Sequence, residues 1–159
     1  MATHKGDTAQ SRARIVVHSE PAPTHGQTLY DREIPSDIAL ITPLVVRALE
    51  FLKSESLIIP GEESRVGLCI EEALQNAVKH GNKGDFRKKV RLQLFLTDTE
   101  WGAVVSDEGS GFDLNSVRDP LQSEGVWGES GRGLYLISHF MDRVEYYSDG
   151  STLVLARHL

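Results

Sequence analysis

A chain of 159 residues accommodates one compact domain with a sizeable core and leaves no room for a second of full size. Its 40% hydrophobic and 25% charged composition excludes collagen-like, disordered and membrane-embedded classes. With 23 acidic against 17 basic residues and a formal charge of -6, a broad nucleic-acid surface is not expected. Cys69 is the only cysteine, so internal disulfides and Cys-rich metal patterns are absent, and it reads as a small buried hydrophobe. No run approaches the roughly 18 apolar residues of a membrane span, and the first residues lack the apolar block of a secretory signal. A cytoplasmic location without a membrane or direct nucleic-acid partner is the expectation.

In chain order, residues 1–27 are rich in Thr, Ser, His, Gly and Pro, with only Ile15, Val16 and Val17 apolar, and read as a mobile polar tail preceding a domain over 28–159. A short strand is expected over Leu29 to Ile34. Pro35-Ser36-Asp37 then opens a helix through Leu40, Leu44, Ala48, Phe51 and Leu52, with Pro43 an awkward interior residue. After the Pro60-Gly61 break, Glu62 and Glu63 place negative charge at the start of a second helix, whose stripe Val66, Ile70, Ala73, Leu74 and Ala77 stops near Gly81. Alternation over Val90 to Leu96 and the run Trp101 to Ser106 predict a hairpin. Residues 110–130 lose all periodicity and read as a long lid. A third helix, Leu134 to Met141, leads to strands Arg143 to Tyr147 and Thr152 to Arg157 about an Asp149-Gly150 turn. This order predicts an α+β two-layer sandwich, about three helices on one face of a mixed, mostly antiparallel sheet.

Three places carry residues that folding alone does not ask for. On the second helix, Glu72 and Asn76 are four apart and share a face. An interior Asn costs about 0.6 kcal/mol relative to Ala. Its amide oxygen suits Mg²⁺, and the carboxylate one turn earlier can polarise a hydroxyl, although a solvated helix face reads the same way. In Asp107-Glu108-Gly109-Ser110-Gly111-Phe112 a strand ends in a carboxylate able to accept from an adenine amino group, and Gly109 and Gly111 allow a base to approach the backbone. An ordinary glycine turn is the alternative. Gly131-Arg132-Gly133 precedes a helix whose first amides lack partners, a place for an anion, with Arg132 either adding charge or facing solvent.

Their order resembles the nucleotide-binding domain of gyrases, heat-shock chaperones, sensor histidine kinases and mismatch-repair ATPases over roughly residues 29–159. Within that superfamily the chain is most similar to the anti-sigma factor serine kinases of bacterial partner-switching systems. Glu71-Glu72-Ala73-Leu74-Gln75-Asn76-Ala77-Val78-Lys79-His80-Gly81-Asn82 resembles their first box, the Asp107 to Phe112 segment their second, and Gly131-Arg132-Gly133-Leu134 their third. The resemblance implies ATP and Mg²⁺ as cofactors, Glu72 as general base, Asn76 as metal ligand, Asp107 as adenine partner and Gly131 to Gly133 as the phosphate-facing hinge of an ATP lid. Ser151 or Thr152, in Gly150-Ser151-Thr152, would supply an adenine-site hydroxyl, with Ser151 preferred.

The implied activity is phosphorylation of a Ser or Thr on a small antagonist protein of anti-anti-sigma type, with sequestration of a sigma factor by a homodimer and hence transcription regulation. A non-catalytic ATP-binding module that sequesters a regulator is the alternative. The catalytic part of a histidine kinase would need a helical hairpin upstream, and His18 lies just before Pro21 and Pro23. His80 reads as a structural hydrogen-bonding group near a helix end, and Trp127 as a lid residue that contacts nucleotide or packs the loop.

Overall fold

The computed structural model describes residues 12–111 and 128–159. Six strands form one sheet in the order β1-β5-β6-β4-β3-β2, comprising β1 Ile15–Val17, β2 Gln27–Pro35, β3 Lys89–Leu96, β4 Glu100–Asp107, β5 Arg143–Tyr147 and β6 Thr152–His158. All neighbours pair antiparallel except β1 and β5, where Ile15 stands opposite Val144 in a parallel ladder. Three helices, α1 Ile41–Ser54, α2 Glu63–Asn76 and α3 Gly128–Phe140, complete the α+β sandwich. The expected fold class is therefore the observed one. The long segment read as a lid, with Phe112, Val117, Leu121 and Trp127, lies outside the described residues over 112–127.

The period of two in the strands decides which side meets the helices. Val90, Leu92 and Leu94 of β3, Trp101, Ala103 and Val105 of β4, and Leu153 and Leu155 of β6 join Ile70, Leu74, Leu134 and Ile137 in the main core. Full burial of one such side chain contributes about 1.5–3 kcal/mol, so Ile70→Ala is expected to remove about 2–5 kcal/mol once the cavity left behind is included. On the opposite face Phe95, Val104, Tyr147, Val154 and Ala156 form a smaller cluster against which Ala22 packs.

Ala22 belongs to a segment expected to lie in the mobile tail. Instead, the Ala13 N–H donates to Ser138 O of α3, Ile15–Val17 pairs with β5, and the residues that follow touch the sheet. The His18 N–H donates to Tyr146 O at 2.9 Å, Ser148 N–H donates to Glu20 O at 2.8 Å, and the His18 and His25 rings stack on Tyr147 and Phe95. Composition missed this because the stabilisation comes from an otherwise open strand edge and a half-covered sheet face, both supplied by distant residues.

Local chemistry explains the helix boundaries. The Asp37 carboxylate accepts from the Ala39 N–H at 2.9 Å, capping a 3-10 turn over Ile38–Leu40 that feeds α1. Pro43 then falls in the first turn of α1, where its missing N–H has no intrahelical partner to lose. Before α2, the Glu63 carboxylate accepts from Gly61 N–H at 2.9 Å. The helical stripe of α2 is buried as expected, but the α-helix ends at Asn76 and continues as a π-helical turn, Ala77–Gly81. Among the described residues no helix is long and apolar enough to cross a membrane.

Candidate functional site

A cleft opens between the C-terminal end of α2 and the strand ends of β4, β5 and β6. Asn76, Ala77, His80 and Gly81 line one wall; Asp107, Gly111, Tyr146 and Ser151 line the other. The π-helical turn shapes the first wall, because one extra residue per turn shifts the chain outward and brings Gly81 against Asp107. A side-chain carbon at Gly81 would occupy the place of the Asp107 carboxylate.

Asp107 ends β4, and its conformation is held from several sides. Its N–H donates to Ser151 O at 2.9 Å, and its Oδ1 accepts from Gly109 N–H at 2.8 Å. Gly109 has no room for a side chain because it sits on the Gly81 carbonyl. Gly111, at φ +82°, lies against the Asp149 carbonyl. Burial raises the Asp107 carboxyl to about 6, while the Gly109 N–H and the Lys88 charge pull it down. A ligand that donates a hydrogen bond here would favour the ionised form. Tyr146 is fully buried beside it, its pKa raised first by burial and then by Asp107.

The second cluster lies at the Asn76 side. Asn76 is 8% exposed, and its buried Nδ2 has no hydrogen-bond partner among the described residues. An unsatisfied buried amide N–H costs about 1–3 kcal/mol. Glu72, one turn earlier, is half-buried and does not line the cleft itself; its carboxylate lies against Gly133 of α3, where any side chain would collide with it. Burial, and then the charge of Glu71, raises the Glu72 pKa, with Lys79 opposing.

The expected site residues thus divide. Asn76, Asp107, Gly111 and Ser151 share the cleft, with Gly109 directly behind Asp107. Glu72 and Gly133 meet each other at α2 and α3. The third helix begins at Gly128 rather than Leu134, so Gly131, Arg132 and Gly133 lie within its first two turns and not before it; packing of Leu134 and Ile137 into the core favours that longer helix. Arg132 is exposed and Leu134 is buried. Ser151 faces the cleft with its hydroxyl donating to Ser148 O at 3.1 Å, whereas Thr152 lines a hollow on the other face of the sheet. His80 lines the cleft, its pKa lowered by burial and by Lys79.

Sequence reasoning missed Gly81 and Tyr146. Gly81 was visible as a helix stop and as part of the first-box resemblance without a role of its own, and Tyr146 as one more strand residue.

In a sandwich of this sheet order a helix-borne amide stands across the cleft from a strand-end carboxylate, and comparison with known sequences gives the family. Residues 34–157 match the model of the histidine kinase-like ATPase domain, and the chain belongs to that family. It is similar to the serine-protein kinase RsbW of Listeria monocytogenes serovar 1/2a, 27% identical over 127 residues covering 69% of this chain and 81% of that protein. It is also similar to the anti-sigma F factor of Bacillus thuringiensis, 31% identical over 103 residues covering 62% of this chain and 70% of that protein. At the level of family the relationship is thus to anti-sigma factor kinases, and the domain carries the ATP-binding capacity of its class.

Proposed function

We propose that the chain is an ATP- and Mg²⁺-dependent protein-serine/threonine kinase that phosphorylates a small antagonist protein of anti-anti-sigma type, and that as a homodimer it sequesters a sigma factor and so regulates transcription in the cytoplasm. The observation that carries this reading is the buried, unpartnered amide of Asn76 facing the same cleft as the Asp107 carboxylate. The names of the relatives support it. The nucleotide-binding unit is taken as 28–159, to which Ile15–Val17 adds an edge strand.

Asp107 accepts from the adenine amino group, Gly111 leaves the backbone open to the ring, and Ser151 offers its hydroxyl at the same end. Asn76 Oδ1 is an oxygen donor of the kind Mg²⁺ takes, and the ion when bound would neutralise phosphate charge. Gly131, Arg132, Gly133 and Leu134 are assigned to the phosphates by their motif, and the seat of Gly133 beside Glu72 supports that assignment. Glu72 accepts the proton of the attacking Ser or Thr hydroxyl as the new oxygen–phosphorus bond forms and ADP leaves. Its raised pKa brings the carboxylate nearer the range in which a general base works.

Incubation with labelled ATP, Mg²⁺ and the cognate antagonist protein is expected to yield an acid-stable phosphoester on that partner. A second reading, a non-catalytic ATP-dependent sequestering module, draws on the Glu72 carboxylate being covered by Gly133. Nucleotide binding without transfer to the partner would favour it, and absence of nucleotide binding would remove both.

A further inference from the structure

Behind the cleft, outside every residue assigned above, Asn82 is 1% exposed and uses its amide in three directions. Nδ2 donates to Ser36 Oγ at 2.5 Å and to Lys89 O at 2.9 Å. Oδ1 accepts from Glu108 N–H at 2.8 Å. These partners belong to three separate segments: the end of β2, the start of β3 and the turn after β4. The main chain of Asn82 is fixed as well, its N–H donating to Ala77 O at 2.8 Å across the π-helical turn. One side chain therefore ties the π turn, which supplies one wall of the cleft, to the turn that supplies the other.

The Glu108 N–H is the critical bond. Glu108 lies between Asp107, whose carboxylate faces the cleft, and Gly109, whose N–H donates to that carboxylate at 2.8 Å. Fixing the peptide between Asp107 and Glu108 fixes the plane from which the Asp107 side chain departs, and it fixes where the Gly109 donor stands. Buried hydrogen-bond networks of this kind hold a reactive group within a few tenths of an ångström only when every member is satisfied. Asn is suited to the position because it offers an acceptor and two donors on one short, rigid plane. Asp lacks the donors, and an apolar residue of similar size would leave Glu108 N–H, Ser36 Oγ and Lys89 O to find other partners.

We propose that Asn82 is the positioning residue for purine recognition: it acts through Asp107, orienting the carboxylate toward the 6-amino group of the base, and thereby sets the preference for adenine. The proposal rests on the reading of Asp107 as the purine partner. A residue that merely held the fold together would affect every nucleotide alike. One that aims Asp107 affects only nucleotides that carry the amino group.

The test compares ATP with purine riboside triphosphate, which has hydrogen in place of the 6-amino group, by calorimetry on the full-length chain. Asn82→Ala is expected to weaken ATP about tenfold and the deaminated analogue less than about twofold, so that the ratio between them collapses. In phosphotransfer, KM for ATP rises while kcat holds. Equal weakening of both nucleotides, or of neither, overturns the proposal. Should Asn82→Ala not fold, Ser36→Ala removes only one acceptor of Nδ2 and decides in its place: a selective loss of about twofold to fourfold for ATP supports the role, and an unchanged ratio overturns it. Asp107→Asn is run in parallel. If it leaves the ATP-to-analogue ratio at the wild-type value, the assignment of Asp107 has failed rather than that of Asn82.

Discussion

The two ends of the cleft are built on opposite principles. At the Asp107 end the chain satisfies itself: Gly109 N–H, Ser151 O and the Asn82 side chain hold one turn from three directions, and glycines at 81, 109 and 111 exist because their neighbours leave no space. At the Asn76 end a buried amide N–H has no partner among the described residues, and the Glu72 carboxylate lies against Gly133 of α3. The first end is preorganised by the fold. On the proposed reading the second is left for a ligand to complete. For the proposed kinase, a rigid recognition floor and an adjustable reacting end would suit a cleft that releases one product and accepts a new substrate.

The largest effect should come from the incomplete end. Glu72→Gln keeps shape and hydrogen-bonding capacity but cannot take a proton, and phosphotransfer is expected to fall by about 10²–10⁴-fold while nucleotide affinity is nearly unchanged. Single-turnover kinetics with the partner protein measures it. Transfer at the wild-type rate would remove Glu72 as base and favour the sequestering module.

At the preorganised end, Asp107→Asn should weaken ATP about 30–100-fold, the worth of one hydrogen bond to a charged acceptor, because an amide donor would then face the adenine amino group. The folded protein should lose no stability at pH 8, since a buried charge is removed. The pH dependence follows from the same carboxyl. Its folded pKa of about 6 stands above the ordinary 3.8, so the folded state holds the extra proton and stability falls as pH rises between those values. Binding takes the ionised form, so affinity runs the other way: Kd should rise up to about tenfold per unit as pH drops below 6, a dependence lost in Asp107→Asn. Thermal melts and calorimetry over pH 5–8 check both signs.

A smaller change is expected from Asn76→Ala. Removing the unpartnered amide relieves a cost of about 1–3 kcal/mol, offset in part by lost packing, so the ligand-free protein should melt no lower than wild type. Binding of ATP with Mg²⁺ should weaken about tenfold, and binding with chelator present should change little. A marked loss of stability would show that the amide has a structural partner. The smallest effect belongs to neither end: Asp31, paired with Arg91 at 2.5 Å on exposed strands, should on change to Asn shift stability by less than about 1 kcal/mol and leave nucleotide binding untouched.

Much of this molecule was legible along the chain because the informative patterns are local. The stripe from Val66 to Ala77, the alternation from Val90 to Leu96 and the run from Trp101 to Ser106 report short-range patterns, and each lies in the element that its pattern predicted. Glu72, Asn76, Asp107 and the glycines stood out because a helix interior or a plain turn has no need of them. What resisted reading depends on contacts between residues far apart in sequence. Ile15–Val17 is too short to hold itself and becomes a strand only because β5 offers an open edge. Gly131 to Gly133 are helical, with Gly133 seated against the Glu72 side chain of α2, a contact between residues far apart in sequence.

By itself the sequence determined the layer type, the faces of the helices and the residue types able to do nucleotide chemistry, all consequences of spacing and side-chain chemistry. Tertiary structure alone decided that a π-helical turn presses Gly81 onto Asp107, that Ser151 rather than Thr152 faces the cleft, and that Asn82 joins three segments. Those depend on where separate strand ends converge, and no local pattern encodes a meeting of residues 36, 82, 89 and 108.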